Sequence, residues 1–217
     1  LYRRQVETAD GLPVHDGWVA AYAVCGSHTC STVPDAPLAD DDAYSTDEDT
    51  ALNPASERGR HRVLAEGQWQ ALNLPLHIFR LAGIYGPGRG PFSKVREGTA
   101  RRIIKEGQVF SRTHVADIAR VLAASIARPN PGAAYNVCDD DPVPPQDVIA
   151  YAAELLGLPV PEALAFEDAD MSPMARSFYA ESKKVRNDRI KDELGVELLY
   201  PDYRSGLRSL LAQEIGA

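Results

Sequence analysis

Arginine supplies most of the side chains here that could do chemistry. Arg58 and Arg62, in Ser56-Glu-Arg58-Gly59-Arg60-His61-Arg62, stand four residues apart in a helical pattern. That spacing puts both guanidinium groups on one helix face. Either the pair clamps an anion through charge-assisted hydrogen bonds, or it lies on a solvated face with Arg62 paired to Glu66 at i, i+4. Arg80 lies near the end of the apolar run Leu76-His-Ile-Phe-Arg-Leu-Ala82. Fixed in charge, it suits a carboxylate or a phosphate, or a purely structural ion pair. The run Gly83-Ile-Tyr85-Gly86-Pro87-Gly88-Arg-Gly90-Pro91 permits a tight backbone reversal. Arg96, Arg101, Arg102, Lys105 and Arg112 then form a basic stretch. His114 is read as a hydrogen-bonded structural histidine and Asp117 as a helix N-cap rather than a catalytic acid.

These residues need elements to hold them. A helix capped by Ser56 is expected to run to about residue 72, followed by a strand over 76–82 and the glycine turn. A basic helical segment is expected over 95–105, a strand over 109–115 and a helix over 117–127. Further along come a strand over 133–138, a turn over 139–145 and a helix over 146–156 stopped by Gly157. Another helix is expected over 183–194, stopped by Gly195. Helices alternating with short apolar strands predict an α/β architecture with a parallel sheet. Before residue 50 the pattern is poor: one strand between Gly17 and Gly26, then a loop rich in Pro, Ser, Thr and Asp. Asp40, Asp41 and Asp42 read as a solvated face, and no metal site is expected.

The 217 residues suffice for one good core with a small lobe, at an ordinary 44% hydrophobic and 25% charged content. A net charge of -8 argues against nucleic acid, and no apolar run approaches membrane-spanning length. Cys25, Cys30 and Cys138 read as reduced thiols, which suits a cytoplasmic protein.

Four stretches resemble the extended short-chain dehydrogenase/reductase superfamily, of the NAD-dependent epimerase/dehydratase type. They are Arg80-Leu-Ala-Gly-Ile-Tyr85-Gly86-Pro87, His114-Val-Ala-Asp117, Gly132-Ala-Ala-Tyr135-Asn136-Val137 and the ending through Leu194-Gly195 to Pro201. The resemblance implies a Rossmann-type parallel sheet with a small C-terminal substrate lobe. It divides the chain into a poorly matched segment 1–50, a partial NAD(P)-binding domain 51–142, and a lobe 143–217 with a contribution from 92–108. It implies NAD or NADP as cofactor, with Arg80, Gly83 and Tyr85 on the cofactor side. It also implies a nucleotide-sugar substrate; the basic stretch, through Arg96, Arg102 and Arg112, is read as holding its diphosphate, while the register of the family's own arginine falls on Phe110. A homodimer is compatible with it; nucleic acid and membrane are not expected partners.

Two departures qualify the resemblance. The glycine-rich loop that holds the cofactor pyrophosphate has no counterpart, since Gly11, Gly17 and Gly26 are isolated, and the run beginning at Gly83 is broken by Pro87 and Pro91. The chain therefore reads as lacking the first strands of the fold. In the family's Tyr-x-x-x-Lys motif, Lys lowers the Tyr pKa for proton transfer; here Arg58 and Arg62 stand at those two positions. Arg is not deprotonated in proteins, so Arg58 cannot exchange the proton, and a substitute is confined to His61 or Tyr22. Ser-Glu-Arg-Gly-Arg resembles an atypical branch of the family. The expected function is an NAD(P)-dependent oxidoreductase of nucleotide sugars, with this chain inactive on its own. The alternatives are a non-catalytic nucleotide-binding descendant and an inactive truncated product.

Overall fold

A computed structural model describes the backbone of residues 19–23 and, beyond it, residues 45–54, 56–180 and 182–216. The expectations for Cys25, Cys30 and Asp40 to Asp42 lie outside that range. Strand β1 (Val19–Ala23) falls within the one strand expected early in the chain. A two-residue strand, β2 (Ser45–Thr46), leads to helix α1 (Glu57–Gln70), where Ser56 Oγ caps the first turn by accepting from Gly59 N at 3.1 Å. Strand β3 (Leu76–Leu81) follows, and after Ala82 alone the chain forms β4 (Gly83–Tyr85). The glycine run thus begins as a strand and turns only at Gly86.

The stretch expected as one helix over 95–105 divides into helix α2 (Phe92–Arg96) and strand β5 (Arg102–Ile104). Gly98, at φ 66, ends the helix in a conformation that favours glycine. Strand β6 (Arg112–His114) runs directly into helix α3 (Val115–Ala127). The N-cap of α3 is His114, whose Nδ1 accepts from Ala116 N at 3.2 Å, and not Asp117. Strand β7 (Ala134–Val137), helix α4 (Pro145–Leu155), strand β8 (Ala163–Ala165) and helix α5 (Pro173–Ser177) follow. The single helix expected over 183–194 is strand β9 (Lys184–Val185) and the short helix α6 (Asp188–Asp192). Pairing of β9 with β2 took those residues out of the helix. The chain closes on helix α7 (Tyr203–Ile215).

All strand pairings are parallel: β1-β3-β7 in one sheet, and the pairs β2-β9, β4-β6 and β5-β8. Two apolar cores result. In the first, Phe79, Leu81, Tyr135 and Val137 of the sheet meet Ile118 and Val121 of α3 and Ile190 of α6. In the second, Phe92, Val95, Val148, Tyr203 and Leu207 join α2, α4 and α7 beneath Tyr85. Each such side chain, fully buried, stabilises the fold by about 1.5–3 kcal/mol.

Candidate functional site

The seam between the two cores is built by β4 and β6. Their register pairs Gly83 with Arg112, Ile84 with Thr113 and Tyr85 with His114. Alternation along a strand sends residues 83 and 85 to one face and 112 and 114 likewise. A turn closes behind Tyr85, with Gly86 and Arg89 exchanging two backbone hydrogen bonds of 3.0 and 2.9 Å. Gly86 is required by close approach, because a Cβ there would lie 2.6 Å from Val115 Cγ1. Gly88 has φ 71.

A cavity of about 400 Å³ opens at this seam, lined by Gly83, Tyr85, Arg112, Phe178, Tyr203 and Leu207 among others. Strands β4 and β6 begin there, just past the carboxyl end of β3, the edge at which open α/β folds take ligands. Arg112 Nη1 donates to Phe110 O at 2.8 Å and Val143 O at 3.4 Å, and no other hydrogen bond engages the guanidinium among the described residues. Its remaining N–H groups are therefore available to an anion. Burial lowers the Arg112 pKa, and Asp139, Tyr85, Tyr203 and Asp141 raise it in turn. The Tyr85 hydroxyl is buried without a hydrogen-bond partner. Burial holds its pKa well above the usual phenol range, and the carboxyls of Asp139, Asp117 and Asp202 add to the effect. It is a hydrogen-bond donor and not a phenolate.

Behind the cavity the polar groups differ in how fully they are satisfied. His114, packed between Tyr85 at 5.1 Å and Tyr200 at 4.1 Å between ring centroids, uses Nδ1 in the cap, so the ring proton sits on Nε2, which has no partner. Burial lowers its pKa, against the pull of Asp117. Asp117 is buried and accepts from Leu199 N at 2.6 Å and Tyr200 N at 3.1 Å, tying the start of α3 to the approach to α7. Asp139 sits at the end of β7 with both carboxyl oxygens buried and unpartnered.

The structure thus brings Gly83, Tyr85 and Arg112 together and places the other sequence-singled residues elsewhere. Arg80 is engaged by Glu66, with its Nη2 3.0 Å from Glu66 Oε2, and by Glu48 O at 3.3 Å. Arg58 is exposed and Arg62 partly exposed on α1, and neither lines the cavity. His61 is exposed on the same helix. Arg96 pairs with Glu214 at 2.5 Å and stands over the Phe92 ring. Arg102 donates to Pro161 O at 3.4 Å. Sequence reasoning passed over Asp139, Phe178 and Tyr203. Only for Asp139 was there a signal, since it follows the last apolar residue of a strand.

A scan against models of known protein families matches none of them. The chain is 33% identical over 161 residues to Protein YeeZ of Escherichia coli K12, covering 71% of this chain and 52% of that protein. It therefore spans about half the length of the curated relatives it matches. Among solved structures, a functionally unknown conserved protein from Silicibacter pomeroyi DSS is 63% identical, with a TM-score of 0.82 over 90% of this chain and 66% of that one. MoeE5, in complex with UDP-glucuronic acid and NAD, is 19% identical with a TM-score of 0.67, covering 91% of this chain and 65% of that chain. A putative NAD-dependent epimerase/dehydratase from Methylobacillus flagellatus is 28% identical with a TM-score of 0.57, covering 77% of this chain and 57% of that chain. With them the chain shares its α/β, Rossmann-like fold of parallel strands and packed helices. No helix among the described residues is long and apolar enough to cross a membrane.

Several solved neighbours are in complex with NAD or NADPH. In this chain the charge at the carboxyl end of β3 is not free to hold such a group: Arg80 is engaged by Glu66 at 3.0 Å. The Asn136 amide donates to Glu48 Oε1 at 2.7 Å.

Proposed function

We propose that this chain forms the substrate-holding part of an NAD(P)-dependent epimerase/dehydratase-like oxidoreductase that acts on a nucleotide sugar. The observation that carries the reading is the cavity beside β4 and β6, with unengaged N–H groups of Arg112 in its wall. Arg112 meets the negative charge of the ligand, while Tyr85, Phe178, Tyr203 and Leu207 offer apolar surface. UDP-glucuronic acid and UDP-glucose, bound by the MoeE5 neighbour, set the class of ligand. NAD or NADP is the cofactor of the whole protein in this reading. Arg96 and Arg102, held by Glu214 and Pro161, take no part in holding the ligand.

Calorimetric titration of the protein with UDP-glucose tests this. Arg112→Met should weaken binding by about tenfold or more, while Arg96→Met and Arg102→Met leave it unchanged. Equal affinity in all three variants would count against the assignment.

A second reading, a nucleotide-binding descendant without catalysis, is favoured by Arg58, which is exposed on α1 and which the resemblance sets at the position of the family's proton-transferring Tyr. Turnover of a nucleotide sugar with NAD or NADP, monitored at the nicotinamide absorbance, excludes it; binding without turnover favours it.

A further inference from the structure

Asp139, Asp140 and Asp141 follow one another at the end of β7, and the fold gives each different surroundings. Asp140 Oδ1 accepts from Asn187 Nδ2 and Lys191 Nζ, both at 2.7 Å. Asp141 lies 3.8 Å from Arg204 Nη1. Asp139 turns inward and is 2% exposed. Its amide donates to Arg112 O at 2.6 Å, which fixes it beside the strand that carries Arg112, yet neither of its carboxyl oxygens has a hydrogen-bond partner. An ionised carboxylate without hydrogen bonds is the costliest group to bury, and a protonated one is far cheaper.

The groups that face Asp139 are Arg112 from β6, Tyr85 from β4, and Cys138 and Asp141 from its own segment, while Asp140 is turned to Asn187 and Lys191. Behind them, Asp117 and Asp202 face Tyr85, and Tyr203 faces Arg112. Burial pushes the carboxyl up to about 8; the Arg112 guanidinium and the nearby amides of Arg112 and Asp141 oppose the rise, and the Asp141 charge reinforces it.

We infer that Asp139 is a positioning residue that holds a proton, leaving the Arg112 guanidinium uncompensated for an anionic ligand in the cavity, so that anion binding and proton retention at Asp139 are coupled. This rests on the reading that the cavity takes the charged part of a nucleotide sugar. The coupling follows from linkage: ionised Asp139 would neutralise Arg112 and repel the ligand, and a ligand anion raises the proton affinity of Asp139 by the same factor.

UDP-glucose is a suitable probe up to about pH 9, because its diphosphate charge is constant there and its uracil ring is still mostly un-ionised. Its affinity should be level near neutral pH and fall about tenfold between about pH 8 and about pH 9. Titrations on the alkaline side, in buffers of different ionisation enthalpy, should register proton uptake on binding. Asp139→Asn keeps the shape and cannot ionise, so its affinity at about pH 9 should match its own value at neutral pH. Ligand-free infrared difference spectra provide an independent readout, with a protonated carboxyl band in the wild type at neutral pH that is lost on alkalinisation. Wild-type affinity that stays flat to about pH 9, or absence of that band, overturns the inference and leaves the cavity assignment standing. Absence of UDP-glucose binding at every pH, in wild type and variant alike, overturns the cavity assignment and this inference with it.

Discussion

The phenol of Tyr85 lies against the backbone of Gly206, and a Cβ built on Gly206 would fall on the hydroxyl, with the Tyr85 ring atoms Cε2 and Cζ at 2.7 Å. Helix α7 therefore approaches the cavity wall as closely as a backbone can. Replacing a helical glycine by alanine normally stabilises by about 1 kcal/mol. Here the clash should prevail, since overpacking costs about 1–3 kcal/mol. Gly206→Ala is expected to lower the denaturation midpoint and displace the phenol; a raised midpoint would contradict the packing described.

The ion pair of Arg80 with Glu66 is buried, with side-chain exposures of 10% and 5%. Glu66→Ala leaves a guanidinium without its counter-charge and should cost about 3–5 kcal/mol in urea unfolding. The double variant Glu66→Met with Arg80→Leu should be less damaging than Glu66→Ala alone. Additive losses would mean that the two residues act independently.

Asp117 anchors two consecutive backbone amides. Asp117→Ala leaves Leu199 N and Tyr200 N without acceptors, at about 1–3 kcal/mol each. Those two amides should lose their protection in hydrogen exchange before the strands of the sheet do.

Stability should decline on both sides of a pH optimum. Burial lowers the pKa of His114, and likewise that of His77, below the 6.5 of an exposed ring. The unfolded chain therefore binds more protons than the folded one below about 6.5, and stability present above that pH is lost on acidification. Asp139 acts in the opposite sense. Folded, it keeps a proton up to about 8, whereas an exposed aspartate gives it up near 3.8, so between those values stability falls as pH rises. Urea midpoints measured across the range should show both limbs, and Asp139→Asn should flatten the alkaline one. An unchanged alkaline limb in that variant would remove Asp139 from the account.

Elements whose signal is local were legible in the sequence. Ser56 marked the start of α1 and Gly157 the end of α4, because capping chemistry is written in adjacent residues. The failures came where a distant partner decides. Residues 184 and 185 form a strand only because Ser45 and Thr46 pair with them, and Arg102 to Ile104 only because Ala163 to Ala165 do. Asp117 follows apolar residues as an N-cap would, yet its oxygens are taken by amides 82 and 83 residues away. The same limit governed the basic residues. Arg96, Arg102 and Arg112 carry the same charge in sequence, and only the pairing of β4 with β6 distinguishes the one that faces the cavity.

Ala82 alone separates the sheet strand β3 from the cavity strand β4. Its N–H is held by Val137 O at 3.0 Å, and the next, on Gly83, by Ser111 O at 3.2 Å. A joint one residue long, pinned on both sides, has no slack to act as a hinge. Tilting β4 against β3 would have to pull on one of these two bonds, so the cavity wall and the sheet are geared together at this joint. A ligand taken up as proposed above would meet a wall anchored through these two carbonyls.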